Sequence, residues 1–97
     1  MAKAYWISFF MEIKDRAKLA AYGKLAAQAI TAGGGVYLAR SVADLAYEGG
    51  KKEHVTVIEF PSLAAAQAVH ESAEYQSALA ALGDGAVRDQ RIVSAVS

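Results

Sequence analysis

This 97-residue chain has two histidines, His54 at the start of a strand and His70, whose residue type suits proton transfer near neutral pH. His70 falls in a helical stretch, where it serves either as a general base at a cleft or as an ordinary, partly solvated helix residue. Glu59 lies inside the apolar run His54-Val55-Thr56-Val57-Ile58-Glu59-Phe60 and shares a strand face with Val55 and Val57. A carboxylate so placed is at an edge, paired with a cation, or in a cavity that raises its pKa. Arg40, on the preceding strand, is the expected partner, because a guanidinium takes a carboxylate bidentately. Two readings follow: an Arg40–Glu59 pair that fixes strand register or a dimer contact, or an Arg40 that captures an acidic ligand beside Glu59.

The other chemistries find little. With no cysteine, thiolate nucleophiles, disulfides, iron–sulfur clusters and thiolate zinc sites are excluded. Two histidines with Glu59 and Glu71 do not show metal-ligand spacing, and the adjacent His70 and Glu71 point in different directions on a helix. No metal site and no cofactor are expected. Gly33-Gly34-Gly35 follows a helix and precedes a strand, the reverse of a nucleotide-binding loop. No G-x-S-x-G elbow is present. The aromatics Tyr5, Trp6, Phe9, Phe10, Tyr37 and Tyr75 are either core or the wall of a small apolar pocket, with Trp6, Tyr37 and Tyr75 the ligand-binding candidates.

Those residues must be positioned by one small domain spanning 1–97. Ten basic and ten acidic residues balance to zero net charge, with no basic stripe of the kind a nucleic-acid surface needs. The apolar N-terminal run meets Glu12 and Lys14 too soon for a signal peptide or a membrane span, so a cytoplasmic domain is expected. Apolar residues make up 55% of the chain, but alanine supplies roughly a fifth of all residues.

The elements read as follows. Ala4 to Ile13 is a strand rich in aromatic and β-branched residues. Asp15 caps a helix whose apolar residues Leu19, Tyr22, Leu25, Ala26, Ala29 and Ile30 recur at three- and four-residue steps, and the triple glycine ends it. Val36 to Val42 is the second strand, followed by a polar loop with a turn at Glu48-Gly49. His54 to Phe60 is the third strand, closed by Pro61. Ser62 and Ser72 cap two helical pieces, Gly83 terminates the second, Asp84-Gly85 turns, and Gln90 to Val96 is the last strand. Strand, helix, strand, strand, helix, strand with right-handed crossovers is an α+β, ferredoxin-like βαββαβ fold: a four-stranded antiparallel sheet with helices on one face. In the first strand Tyr5, Ile7, Phe9 and Met11 alternate with Trp6 and Phe10, so both faces are apolar. One face meets the helices; the other needs a cover, which a homodimer packed sheet to sheet supplies as a dimeric α/β barrel.

Tyr5-Trp6, Tyr22, Gly34-Gly35-Val36-Tyr37-Leu38-Ala39-Arg40, Glu48-Gly49, Val57-Ile58-Glu59-Phe60-Pro61-Ser62 and Ser72-Ala73-Glu74-Tyr75-Gln76 together resemble the DUF1330 family. The resemblance covers nearly the whole chain, and Ile-Glu-Phe-Pro-Ser is its most specific piece. It implies membership of the dimeric α/β-barrel superfamily and supplies no reaction. The chain departs from the family pattern where Ala73 replaces a frequent proline, near His70 where an aromatic is common, and from Leu79 to Gly83, which lacks a basic residue. Two function classes remain. One is a dimeric small-molecule-binding or structural module. The other is a cofactor-independent enzyme, a monooxygenase, isomerase or lyase acting on a small organic substrate, by analogy with proteins of the same barrel. In that second case His70 or Glu59 accepts the proton, Arg40 stabilises the anion, and Trp6 and Tyr75 wall the pocket.

Overall fold

The computed structural model describes residues 2–96. Its elements are β1 (Ala4–Ile13), α1 (Arg16–Ala32), β2 (Val36–Val42), β3 (His54–Phe60), α2 (Leu63–Glu71), α3 (Ala73–Leu82) and β4 (Ala86–Ser94). Short side chains start each helix. The Asp15 carboxylate accepts from the Lys18 amide at 3.0 Å, and the Ser62 hydroxyl accepts from Ala65 at 3.1 Å. Ser72 works in both directions: its hydroxyl donates to the Val69 carbonyl at 2.6 Å, closing α2, and accepts from the Tyr75 amide at 3.2 Å, opening α3. Gly35 follows α1 where a Cβ would come within 2.6 Å of Ile30 and 2.8 Å of Phe60, so the chain turns hard against its own core.

The four strands form one sheet in the order β2-β3-β1-β4, each neighbouring pair antiparallel. This is the ferredoxin-like βαββαβ arrangement. All three helices lie on one side, and the Cα extents of 37 × 33 × 15 Å describe a plate two layers thick. Trp6, Phe60, Tyr75 and Ile30 are the largest side chains wholly enclosed between the layers. No helix among the described residues is long and apolar enough to cross a membrane.

Two details depart from the sequence reading. The last strand runs from Ala86 to Ser94 rather than from Gln90 to Val96. Ala86-Val87-Arg88-Asp89 looks too polar for a strand, yet Arg88 and Asp89 pair opposite Phe10 and Phe9 of β1. The hydrogen bonds of a long central strand recruit them regardless of propensity. The second departure is a β-bulge in β2. Val36 pairs with Glu59 and Tyr37 with Ile58, but Ala39 pairs with Val57 and Arg40 with Thr56, leaving Leu38 as the extra residue. Unbroken alternation from Val36 would set Arg40 on the face of Glu59. The bulge moves it to the other face.

The register then lays three rows across the helix-facing side of the sheet. They are Tyr37–Ile58–Trp6–Ile92, Arg40–Thr56–Ser8–Gln90, and Val42–His54 followed by Phe10–Arg88. The opposite side carries Tyr5, Ile7, Phe9, Val55, Val57 and Val93, with Phe9 41% and Val93 52% exposed.

Candidate functional site

Between α1 and those three rows lies a cavity of about 250 Å³. Leu19, Tyr22, Gly23, Ala26 and Ile30 of α1 form its roof. Trp6, Ser8, Phe10, Thr56 and Ile58 form the floor, with Tyr37 and Arg40 on one flank, Arg88 on the other, and His54 at one end. The lining is mostly apolar, with a few polar groups at fixed places, as in a small-molecule site.

Two hydrogen-bond clusters fix the walls. Arg88 Nη1 donates to the Tyr22 hydroxyl at 2.8 Å, and the Tyr22 and Tyr75 hydroxyls are 2.8 Å apart. Trp6 Nε1 and the Ser8 hydroxyl both donate to Gln90 Oε1, at 2.8 and 3.0 Å. The guanidinium carbon of Arg88 also lies 4.5 Å from the centroid of Tyr22, and that of Arg40 4.3 Å from Tyr37. Burial, then the neighbouring Tyr22, pushes the Tyr75 phenol far above its ordinary value, so it stays protonated as a hydrogen-bonding group. Burial raises Tyr37 as well, with Arg40 opposing.

His54 packs edge-on to Phe10, ring centroids 5.1 Å apart. Burial first, and the positive charge of Arg40 second, hold its pKa below the ordinary histidine value, while Glu53 pulls the other way. The imidazole is therefore mainly neutral at pH 7 and free to accept a proton.

The structure does not bring His70, Glu59 and Arg40 together. Glu59 lies on the bare sheet face, its Oε1 3.3 Å from Lys3 Nζ, and Arg40 is on the opposite face. The expected Arg40–Glu59 pair is thus absent, because the Leu38 bulge turns Arg40 into the cavity. His70 lies beyond Trp6 in a second cleft, with Gln67, Glu71, Gln90, Arg91 and Ile92, its ring 5.4 Å from Trp6 and 5.2 Å from Tyr75. Of the pocket candidates, Trp6 and Tyr37 line the main cavity. Tyr75 is fully buried behind it, holding Tyr22.

Ser8, Tyr22, His54 and Arg88 line the cavity without having been site candidates, and Gln90, outside the lining, holds Trp6 and Ser8 in place. The alternation of Arg88, Gln90 and Ile92 against Val87, Asp89, Arg91 and Val93 is the one signal in the chain that points inward polar groups. Among the described residues, no three His, Asp or Glu side chains gather as metal ligands.

In a histidine NMR titration, His54 should protonate below its ordinary value of about 6.5, and Arg40→Gln should move the midpoint upward. Since the unfolded chain then binds the proton more readily, His54 supports the fold above about pH 6.5, and that contribution is lost as pH falls through the folded-state midpoint. Wild-type protein should therefore lose more stability on acidification than His54→Gln. A midpoint at or above 6.5 would contradict this account of the cavity.

Comparison with known proteins agrees with this fold. A Rhodopseudomonas palustris protein of unknown function superposes with a TM-score of 0.72 at 18% identity, over 97% of this chain and 81% of that one. SnoaB, a cofactor-independent oxygenase from Streptomyces nogalater, gives 0.70 at 11% identity over 100% and 96%. A dimeric ferredoxin-like protein of unknown function from Thermobifida fusca gives 0.65 at 18% over 97% and 92%. At these identities the likeness is one of fold. No functionally curated protein matches. The family model for the domain of unknown function DUF1330 matches residues 3–96, and the chain belongs to that family.

Proposed function

We propose that this protein binds a small organic molecule in the cavity between α1 and the sheet. The observation that carries this reading is Gly23. It lies inside a seventeen-residue helix, where glycine costs about 0.5–1 kcal/mol relative to alanine. A Cβ built on it meets nothing within 4 Å. Packing does not require the glycine, and its effect is to widen the roof of the cavity. In this reading the site consists of Arg40, Trp6 and Tyr37 together with His54, Tyr22 and Arg88.

The bare sheet face supports a second element of the proposal, a two-fold homodimer packed sheet to sheet. Its centre is the cross-strand pair Ile7–Val57, with Phe9, Val55 and Val93 around it. Its charges are matched within one protomer: Lys3 with Glu59 at 3.3 Å, and Arg91 with Asp89 through two hydrogen bonds of 3.1 and 3.0 Å. A second copy would meet an apolar centre with little like-charge repulsion. The dimeric Thermobifida fusca neighbour lends analogy.

A second reading, a cofactor-independent enzyme, is favoured by His54. A neutral imidazole beside Arg40 can take a proton from an acidic substrate while the guanidinium stabilises the anion.

Three measurements test these readings. Trp6 is the chain's one tryptophan, so its indole N–H gives a single NMR resonance in the cavity wall. Neutral 2-naphthamide should shift it saturably, and Gly23→Phe should abolish the shift; binding that survives this substitution would remove the cavity from the proposal. Light scattering should give twice the 10.2 kDa chain mass, and Ile7→Lys should give a monomer. A wild-type monomer at micromolar concentration ends the dimer reading. In deuterium oxide the protein should speed exchange at the α-carbon of 2-tetralone, and His54→Gln should remove the acceleration while 2-naphthamide still binds. No acceleration leaves a binding protein only.

A further inference from the structure

The cavity holds two guanidinium groups and no carboxylate. Arg40 enters from β2 and Arg88 from β4, the two outer strands of the sheet, and none of the other lining residues is acidic. The ion pairs among the described residues are Lys3–Glu59, Lys18–Asp84 and Arg91–Asp89, and neither cavity arginine takes part in one. The carboxylate associated with His54, that of Glu53, accepts from the His54 backbone amide at 3.1 Å and does not line the cavity. Arg40 is exposed at the flank and Arg88 half-buried, so water reaches both, and the mostly apolar cavity between them holds two cations and no anion.

The aromatic rings satisfy part of that imbalance, since Arg40 lies over Tyr37 and Arg88 over Tyr22. A guanidinium stacked on a ring keeps its in-plane N–H donors for an acceptor at its edge, and Arg88 commits one of its five N–H donors to Tyr22. That leaves a fork suited to two oxygens of one acid. Between the two forks the cavity offers mostly apolar surface from Trp6, Phe10, Ile58 and Ala26, with the hydroxyl-bearing Ser8 and Thr56 among them.

Resting on the small-molecule reading above, we propose that the natural ligand is a planar aromatic acid ionised at neutral pH, its body between α1 and the Trp6–Phe10 floor and its oxyanion on Arg40 or Arg88. The anion completes the charge of the site. Ligands of the same shape without the negative charge leave both guanidiniums unpaired and bind less well.

The test compares three probes of one shape on the wild-type protein: 2-naphthoate, neutral 2-naphthamide and cationic 2-naphthylmethylammonium, each titrated against the Trp6 indole resonance. The acid should bind at least about tenfold more tightly than the amide, the magnitude of one charge-assisted contact, and the cation weakest. Raising the salt concentration should shrink the difference. Arg40→Gln with Arg88→Gln should equalise acid and amide, whereas Arg40→Lys with Arg88→Lys should retain a preference for the acid. Arg88 supports Tyr22, so should the double glutamine variant fail to fold, Arg40→Gln alone, on an exposed edge strand, should still reduce the preference severalfold. Equal affinity for acid and amide in the wild type, or a preference unchanged in the arginine-to-glutamine variants, overturns the acidic-ligand proposal and leaves the cavity reading standing. Binding of none of the three probes overturns both.

Discussion

The packing of Trp6 governs much of this molecule. Its indole is 1% exposed and stands near the start of the inner strand β1, with its ring 4.9 Å from Tyr75 and 6.2 Å from Phe60. Its N–H reaches across to Gln90 of β4. One side chain thereby ties the sheet to α3, joins β1 to β4 through side chains, and divides the helix-facing surface into two clefts. A buried indole requires an acceptor, and Gln90 supplies it while also accepting from Ser8. The polar row across the floor therefore follows from placing a tryptophan in the core. The cavity begins where Trp6 ends and small residues, Ser8, Thr56, Gly23 and Ala26, take over.

The helical layer is held in register with this floor by a different device. Tyr22 on α1 and Tyr75 on α3 meet hydroxyl to hydroxyl, and Arg88 reaches from β4 to the same point. A charge-assisted donor on one side and a buried phenol on the other confine Tyr22 strongly. Roof and floor of the cavity are thus held by groups that also shape its polarity.

Much of the architecture could be read from the chain because local signals agreed with each other. Alternating apolar residues from Ala4 to Ile13, caps at Asp15, Ser62 and Ser72, and the glycine stop after Ala32 each specify an element independently of the rest. The site was less legible. His54, Arg88 and Gln90 come from strands whose pairing across β1 decides which side they face, and pairing is a long-range property. Arg88 also falls before the strand read from the sequence, which starts at Gln90, until its pairing opposite Phe10 is seen. Arg40 and Glu59 match by charge and neighbouring strands, but the Leu38 bulge puts them on opposite faces. His70 was conspicuous by residue type, yet it packs against Trp6 and Tyr75 outside the main cavity.

The Leu38 bulge has a consequence for how this fold diversifies. A β-strand allots its side chains to two faces by parity, so whether an extra residue is paired or bulged out decides the face of everything beyond it. In β2 that choice decides whether the charge of Arg40 belongs to the ligand cavity or to the surface where another copy would pack. A relative that paired the same residues without the bulge would set its arginine opposite Val55 on the bare face, and its cavity would be more nearly neutral. Ligand choice and self-association therefore hang together on whether Leu38 is bulged out or paired, with no change of residue type.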